Sequence, residues 1–81
     1  MPRQSIKTDI DGSLLKLGAA IRALRKERGF SQEALADTAG IDRSHMGKIE
    51  RGERNVSVLN VLRICRALEC SVATLMDTAQ L

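Results

Sequence analysis

The chain has 81 residues, 43% of them hydrophobic and 28% charged, with a formal net charge of +3. That length makes one domain and leaves too little interior for a deep catalytic cleft with its own supporting shell. A single aromatic residue, Phe30, excludes modules that hold single-stranded nucleic acid by stacking bases on aromatic side chains.

Residues 1–12 mix Arg3, Lys7, Asp9 and Asp11 with no apolar period, so they are expected to form a flexible arm or a loose first turn. They lack the apolar run of a signal peptide, and no stretch reaches the roughly 18 apolar residues of a membrane span. From Ser13 onward Leu14, Leu17, Ile21 and Leu24 recur with Ala20 filling the stripe, which is the period of an amphipathic helix. Arg25, Lys26 and Arg28 favour its C-terminal end through the helix dipole, and Gly29 supplies the left-handed cap. Phe30 is expected to fold back as the apolar contact behind that cap.

Ser31 is the predicted N-cap of a short second helix, in which Ala34, Leu35, Ala36 and Ala39 pack closely before Gly40 stops it. Asp42 caps a third helix that runs to about Arg51 and closes at Gly52. Two short helices joined by a glycine-centred turn form a helix-turn-helix. Ser57 caps a fourth helix with an expected core stripe of Val58, Val61, Leu62, Cys65 and Leu68. Ser71 caps a last helix, Val72 to Met76, and residues 77–81 are expected to fray. The predicted architecture is all-α, a five-helix domain over 13–81 behind the arm.

The charge is unevenly placed. Between Arg43 and Arg66 six basic residues face two acidic ones, a net +4, while the rest of the chain is −1. Such a cluster is either the footprint of a polyanion or a solvated helix face. Periodicity favours the first. Arg43, Ser44, Gly47, Lys48 and Arg51 share one face of the third helix, opposite Met46 and Ile49. Arg43 suits bidentate contact with guanine, Ser44 can bond several bases, and Lys48 can reach guanine or a phosphate. A mid-helix Gly47 costs about 0.5–1 kcal/mol, which is offset either by close approach to DNA or by a tight helix crossing.

The loop from Gly52 to Ser57 adds Arg54, Asn55 and Ser57 before a helix N-terminus, where free N–H groups suit a phosphate. Gln32 can do the same from the second helix. His45 has no partners for metal binding and no neighbouring nucleophile; a phosphate or base-step contact, or plain exposure, suits it. Cys65 and Cys70 match no zinc-ligand spacing and are expected to stay reduced in the cytoplasm. Arg25 and Glu50 are expected to form a structural ion pair between the first and third helices. The apolar surplus on the last two helices, Leu59, Ile64, Leu68, Val72, Leu75 and Met76, is the expected dimer interface. No enzyme constellation, cofactor, metal or small-molecule ligand is expected.

From Ile21 to Met76 these residues resemble the phage repressor/Cro-type helix-turn-helix domain. The resemblance is carried by Arg25, Gly29-Phe30-Ser31-Gln32, Leu35-Ala36, Gly40-Ile41, Ile49-Glu50-Arg51-Gly52 and Arg66-Ala67-Leu68. The segment from Ile41 to Asn55 is similar to the controller proteins of restriction–modification systems. That resemblance implies a homodimer on paired half-sites of double-stranded DNA beside its own promoter, activating at low occupancy and repressing at high. Activation would bring it against RNA polymerase. By the same resemblance Arg43 and Ser44 read bases, Arg54 chooses between base and backbone, and Asn55, Ser57, Gln32 and Arg51 hold phosphates. His45 departs from the aromatic residue common in controllers at that place. An antitoxin of the same fold, which binds a toxin and regulates its own operon, is the alternative.

Overall fold

In a computed structural model, which describes residues 9 and 11–81, the chain forms five helices and, among the described residues, no strand. They are α1 (Ser13–Glu27), α2 (Gln32–Ala39), α3 (Arg43–Glu50), α4 (Val58–Leu68) and α5 (Val72–Ala79). The arm expected over 1–12 lies, for residues 1–8 and 10, outside the described residues. Asp9 and Gly12 belong to a turn that opens α1. Gly12 is left-handed at φ 69°, and the Asp9 carboxylate accepts from the N–H groups of Leu14 at 2.8 Å and Leu15 at 3.3 Å. A carboxylate there satisfies orphan donors and meets the positive end of the dipole.

Each later helix starts on a residue whose side-chain oxygen takes up the first free N–H groups: Ser31, Asp42, Ser57 and Ser71. All five helices end in the same reverse turn. Behind α1, for example, Phe30 N–H donates to Arg25 C=O and Gly29 N–H to Lys26 C=O, both at 3.0 Å. This places Phe30 half-buried against the core, and it caps α1 as a Schellman motif. Two of these ends lack glycine: Glu69 and Gln80 adopt φ 55° and 62°.

α1 packs on α3 and α5, and α2 on α3 and α4. Ile21, Leu35, Met46, Ile64, Leu68 and Leu75 are fully enclosed between them, each gaining about 1.5–3 kcal/mol from burial. Three expectations are corrected here. First, α4 is rotated from the predicted stripe: Ile64 is buried, while Val58 and Leu62 are 76% and 43% exposed. Its apolar residues offer two overlapping stripes at helical spacing, and the one that meets α2 and α5 is Val61, Ile64, Cys65 and Leu68. Second, Ile64, Leu68 and Leu75 are therefore core residues of one chain and unavailable to a partner; Leu59 stays exposed, and Val72 and Met76 are half-buried. Third, α5 does not fray after Met76 but continues to Ala79, which is buried, and Leu81 N–H closes its end on Met76 C=O.

Cys65 and Cys70 are free thiols. Burial, helped by the adjacent Cys70 thiol, pushes Cys65 up to about 11. Among the described residues no cluster of His, Cys, Asp and Glu could hold a metal ion, and no helix is long and apolar enough to cross a membrane.

Candidate nucleic-acid interface

The third helix is built to present its front. The Asp42 carboxylate accepts from the N–H groups of Ser44 at 3.1 Å and His45 at 3.3 Å, and from the Ser44 hydroxyl at 2.8 Å. These bonds hold its pKa below the ordinary carboxylate value. Met46, Ile49 and Glu50 point inward, leaving Arg43 and Ser44 exposed and His45 and Lys48 half-exposed on the other side. Gly47 does not share that outward face. It is buried under the side chains of Gln32 and Arg51, whose Oε1 and Nη1 would stand 3.3 and 3.2 Å from an added Cβ. Its small size admits these two side chains over α3.

The close helix crossing belongs to another glycine. A Cβ on Gly18 of α1 would lie 2.6 Å from the Glu50 carbonyl oxygen and nearer still to that of Ile49. Gly18 therefore sets how closely α1 approaches the end of α3. Sequence reasoning missed it, although a glycine in the middle of a well-capped helix carries the same cost signal that drew attention to Gly47. Gly52 adds a second fixed contact, because a Cβ there would meet Leu15 Cα at 2.8 Å.

Beneath the face lies the Arg25–Glu50 pair. Arg25 Nε and Nη2 donate to the two Glu50 oxygens at 2.8 and 3.1 Å, and its Nη1 donates to Phe30 C=O at 3.0 Å. Gln32 Nε2 adds a third bond to Glu50 at 3.1 Å. Both charges are buried and fully partnered, which is the condition under which a buried pair is tolerated. The network ties the end of α1, the start of α2 and the end of α3 to one carboxylate.

Two of the exposed arginines on and next to α3 have carboxylate partners of their own. Arg43 Nη1 lies 3.6 Å from Glu33, and Arg51 Nε donates to Glu53 at 3.0 Å. The Arg51 guanidinium holds the Glu53 carboxyl below its usual range. Arg54, Asn55 and Ser57 are exposed in the loop before α4, and the Ser57 hydroxyl caps that helix by accepting from Asn60 N–H at 3.1 Å. Arg63 and Arg66 are not with this group. They lie farther along α4 beside residues 37–40 at the C-terminal end of α2. The basic window from 43 to 66 thus splits between two places, and Arg43, Lys48, Arg51 and Arg54 remain at the α3 front.

A capped short helix with an outward basic and polar front, crossed by a second short helix and locked from behind, is the arrangement of a helix-turn-helix domain. The Helix-turn-helix family profile matches residues 21–75. The control protein C.SmaI of Serratia marcescens is 37% identical over 60 residues, covering 74% of this chain and 71% of that protein. The control protein C.MunI of a Mycoplasma species is 36% identical over 64 residues, covering 78% and 86%. Among solved structures, the restriction–modification controller protein C.AhdI of Aeromonas hydrophila superposes with a TM-score of 0.75 at 47% identity, covering 76% of this chain and 94% of that one. The chain belongs to the helix-turn-helix family of DNA-binding transcriptional regulators, and restriction–modification controllers are among its relatives.

Proposed function

We propose that the chain acts as a homodimeric controller that binds paired half-sites beside its own promoter, activating at low occupancy and repressing at high. The observation that carries this reading is the α3 front: Arg43, Ser44 and Lys48 on a helix narrow enough, at about 10–12 Å, to enter a major groove of about 12 Å. Arg43 exchanges its loose contact with Glu33 for bidentate bonds to guanine. Ser44 has its proton committed to Asp42, so its oxygen offers lone pairs to an exocyclic amine of adenine or cytosine. Lys48 and Arg54 reach further base edges. Gln32, His45, Arg51, Asn55 and Ser57 hold the backbone and fix the register.

Dimerisation in this reading uses α4. Val58, Leu59 and Leu62 stand at helical spacing and all three are exposed, so a second copy is the occupant that would cover them, with the half-exposed Val72 and Met76 at the edge. Activation proceeds through RNA polymerase, and the site of action is the cytoplasm.

Selection of bound duplexes from a random pool, followed by footprinting upstream of the gene, tests the proposal. An enriched inverted repeat that also occurs upstream supports it, and a pool with no enriched sequence refutes it. Sedimentation at micromolar concentration is expected to give the dimer mass, and Leu62→Asp the monomer mass. A wild-type monomer throughout that range contradicts the dimer. Recovery of the chain from cells bound to a toxin would favour the antitoxin alternative.

A further inference from the structure

We infer that Arg22, on α1, is a contact for the DNA backbone and completes a phosphate notch at the seam of α1, α2 and α3. The inference rests on the DNA-binding reading and extends it to a helix outside the helix-turn-helix pair. A cavity of about 250 Å³ opens there, lined by Arg22, Arg25, Gln32, Glu50 and Arg51. Three guanidinium groups and one carboxylate meet in it. The carboxylate is already matched, since Glu50 takes both of its Arg25 bonds and one from Gln32. Arg51 is held from outside the notch by Glu53, so the positive charge left without a carboxylate in the lining is that of Arg22.

Arg22 is exposed and, among the described residues, has no carboxylate partner, unlike Arg25, Arg28, Arg43 and Arg51. A guanidinium left unmatched beside a concave, net-positive wall is suited to an anion with several oxygens. The position says which anion. Gln32 is the first residue of α2 and Arg51 follows α3 directly, so the notch lies beside the groove-facing helix, where the sugar–phosphate strand bordering the groove passes. One N–H of the Gln32 carboxamide is spent on Glu50; the second has no partner among the described residues, and Gln32 lines the same cavity as Arg22. The walls are also held in fixed positions. Gly18, one turn before Arg22, sits against the Ile49 and Glu50 carbonyls, and the shared Glu50 carboxylate binds the other two helices.

The test uses Arg22→Ala and Arg22→Lys in the full chain, with a duplex recovered from the random pool and an unrelated duplex of equal length. Arg22→Ala is expected to weaken both complexes by about tenfold, with unchanged base preference and thermal midpoint. The slope of log affinity against log salt should become shallower by about 0.9. Arg22→Lys should restore most of the slope. Duplexes carrying one methylphosphonate at a time identify the phosphate: one position should weaken the wild type and leave Arg22→Ala unaffected. If Arg22→Ala binds both duplexes with wild-type affinity and slope while Arg43→Ala loses base preference, Arg22 is no contact and the DNA reading stands. Equal sensitivity of wild type and Arg22→Ala at every methylphosphonate position also overturns the inference. If the wild type retains no duplex at all, the inference and the reading fall together.

Discussion

Replacing Gly18 with alanine separates this fold from a generic helical bundle. In an open helix the change is favourable by about 1 kcal/mol, because alanine loses less backbone entropy than glycine. Here the new methyl would stand 2.6 Å from the Glu50 carbonyl oxygen and 2.8 Å from its carbon, where ordinary contact begins at 3.4 Å. Both neighbours are backbone, so no side-chain rotation relieves the clash, and α1 and α3 must separate by most of an ångström. Overpacking of this kind costs about 1–3 kcal/mol, and rigid backbone on the far side places it near the upper end. The net expectation is a destabilisation of about 2 kcal/mol, a fall in thermal midpoint of roughly 8–16 °C for a domain of this size. Thermal unfolding followed by circular dichroism measures it, with Ala23→Gly on the exposed face of α1 as the reference for propensity alone. The displacement also moves the end of α3, so DNA affinity should drop at temperatures where the variant is folded. A Gly18→Ala protein more stable than wild type would refute the close crossing.

Glu50→Ala should destabilise by about 3–5 kcal/mol by leaving Arg25 charged and buried, whereas Arg25→Met with Glu50→Leu should recover most of that loss; denaturant titration of the two variants beside the wild type decides. Glu69→Gly should stabilise by about 0.5–1 kcal/mol, because the end of α4 holds a side chain in left-handed backbone at φ 55°, and an unchanged or lowered midpoint would count against it. The Asp42 carboxyl lies below its ordinary 3.8 in the folded chain because the Ser44 hydroxyl and the His45 N–H bond to it. Its contribution is complete above the unfolded value and drains away as pH falls through the lower folded one. Stability measured from pH 6 downward should therefore decline less steeply in Asp42→Asn than in wild type, and parallel curves would exclude Asp42 as the source.

Much of the site could be read from residue order because its chemistry is local. The caps at Ser31, Asp42, Ser57 and Ser71 depend on a hydroxyl or carboxylate standing next to a helical period, and the Arg25–Glu50 pair depends on charges that an apolar stripe forces inward. What escaped depends on which neighbour a helix meets. α4 carries two apolar stripes, and only contact with α2 and α5 decides that Ile64 turns in while Val58 and Leu62 turn out. Gly18 and Gly47 carry the same helical cost, yet one seats a helix and the other admits two side chains. Net charge along the sequence put Arg63 and Arg66 with the α3 cations, although the turn of α4 carries them to the far end of α2. Arg22 gave no signal, because its role depends on three helices meeting at one carboxylate.

The central claim is that the front of α3 reads base edges. A complete single-base specificity profile on the selected duplex, taken for wild type and for Arg43→Ala, tests it most directly. Arg43→Ala should lose about 1–3 kcal/mol of discrimination at one guanine position in each half-site, with the remaining positions keeping their ranking. A profile identical to wild type, or a uniform weakening at every position, would contradict the claim and reduce Arg43 to a backbone contact.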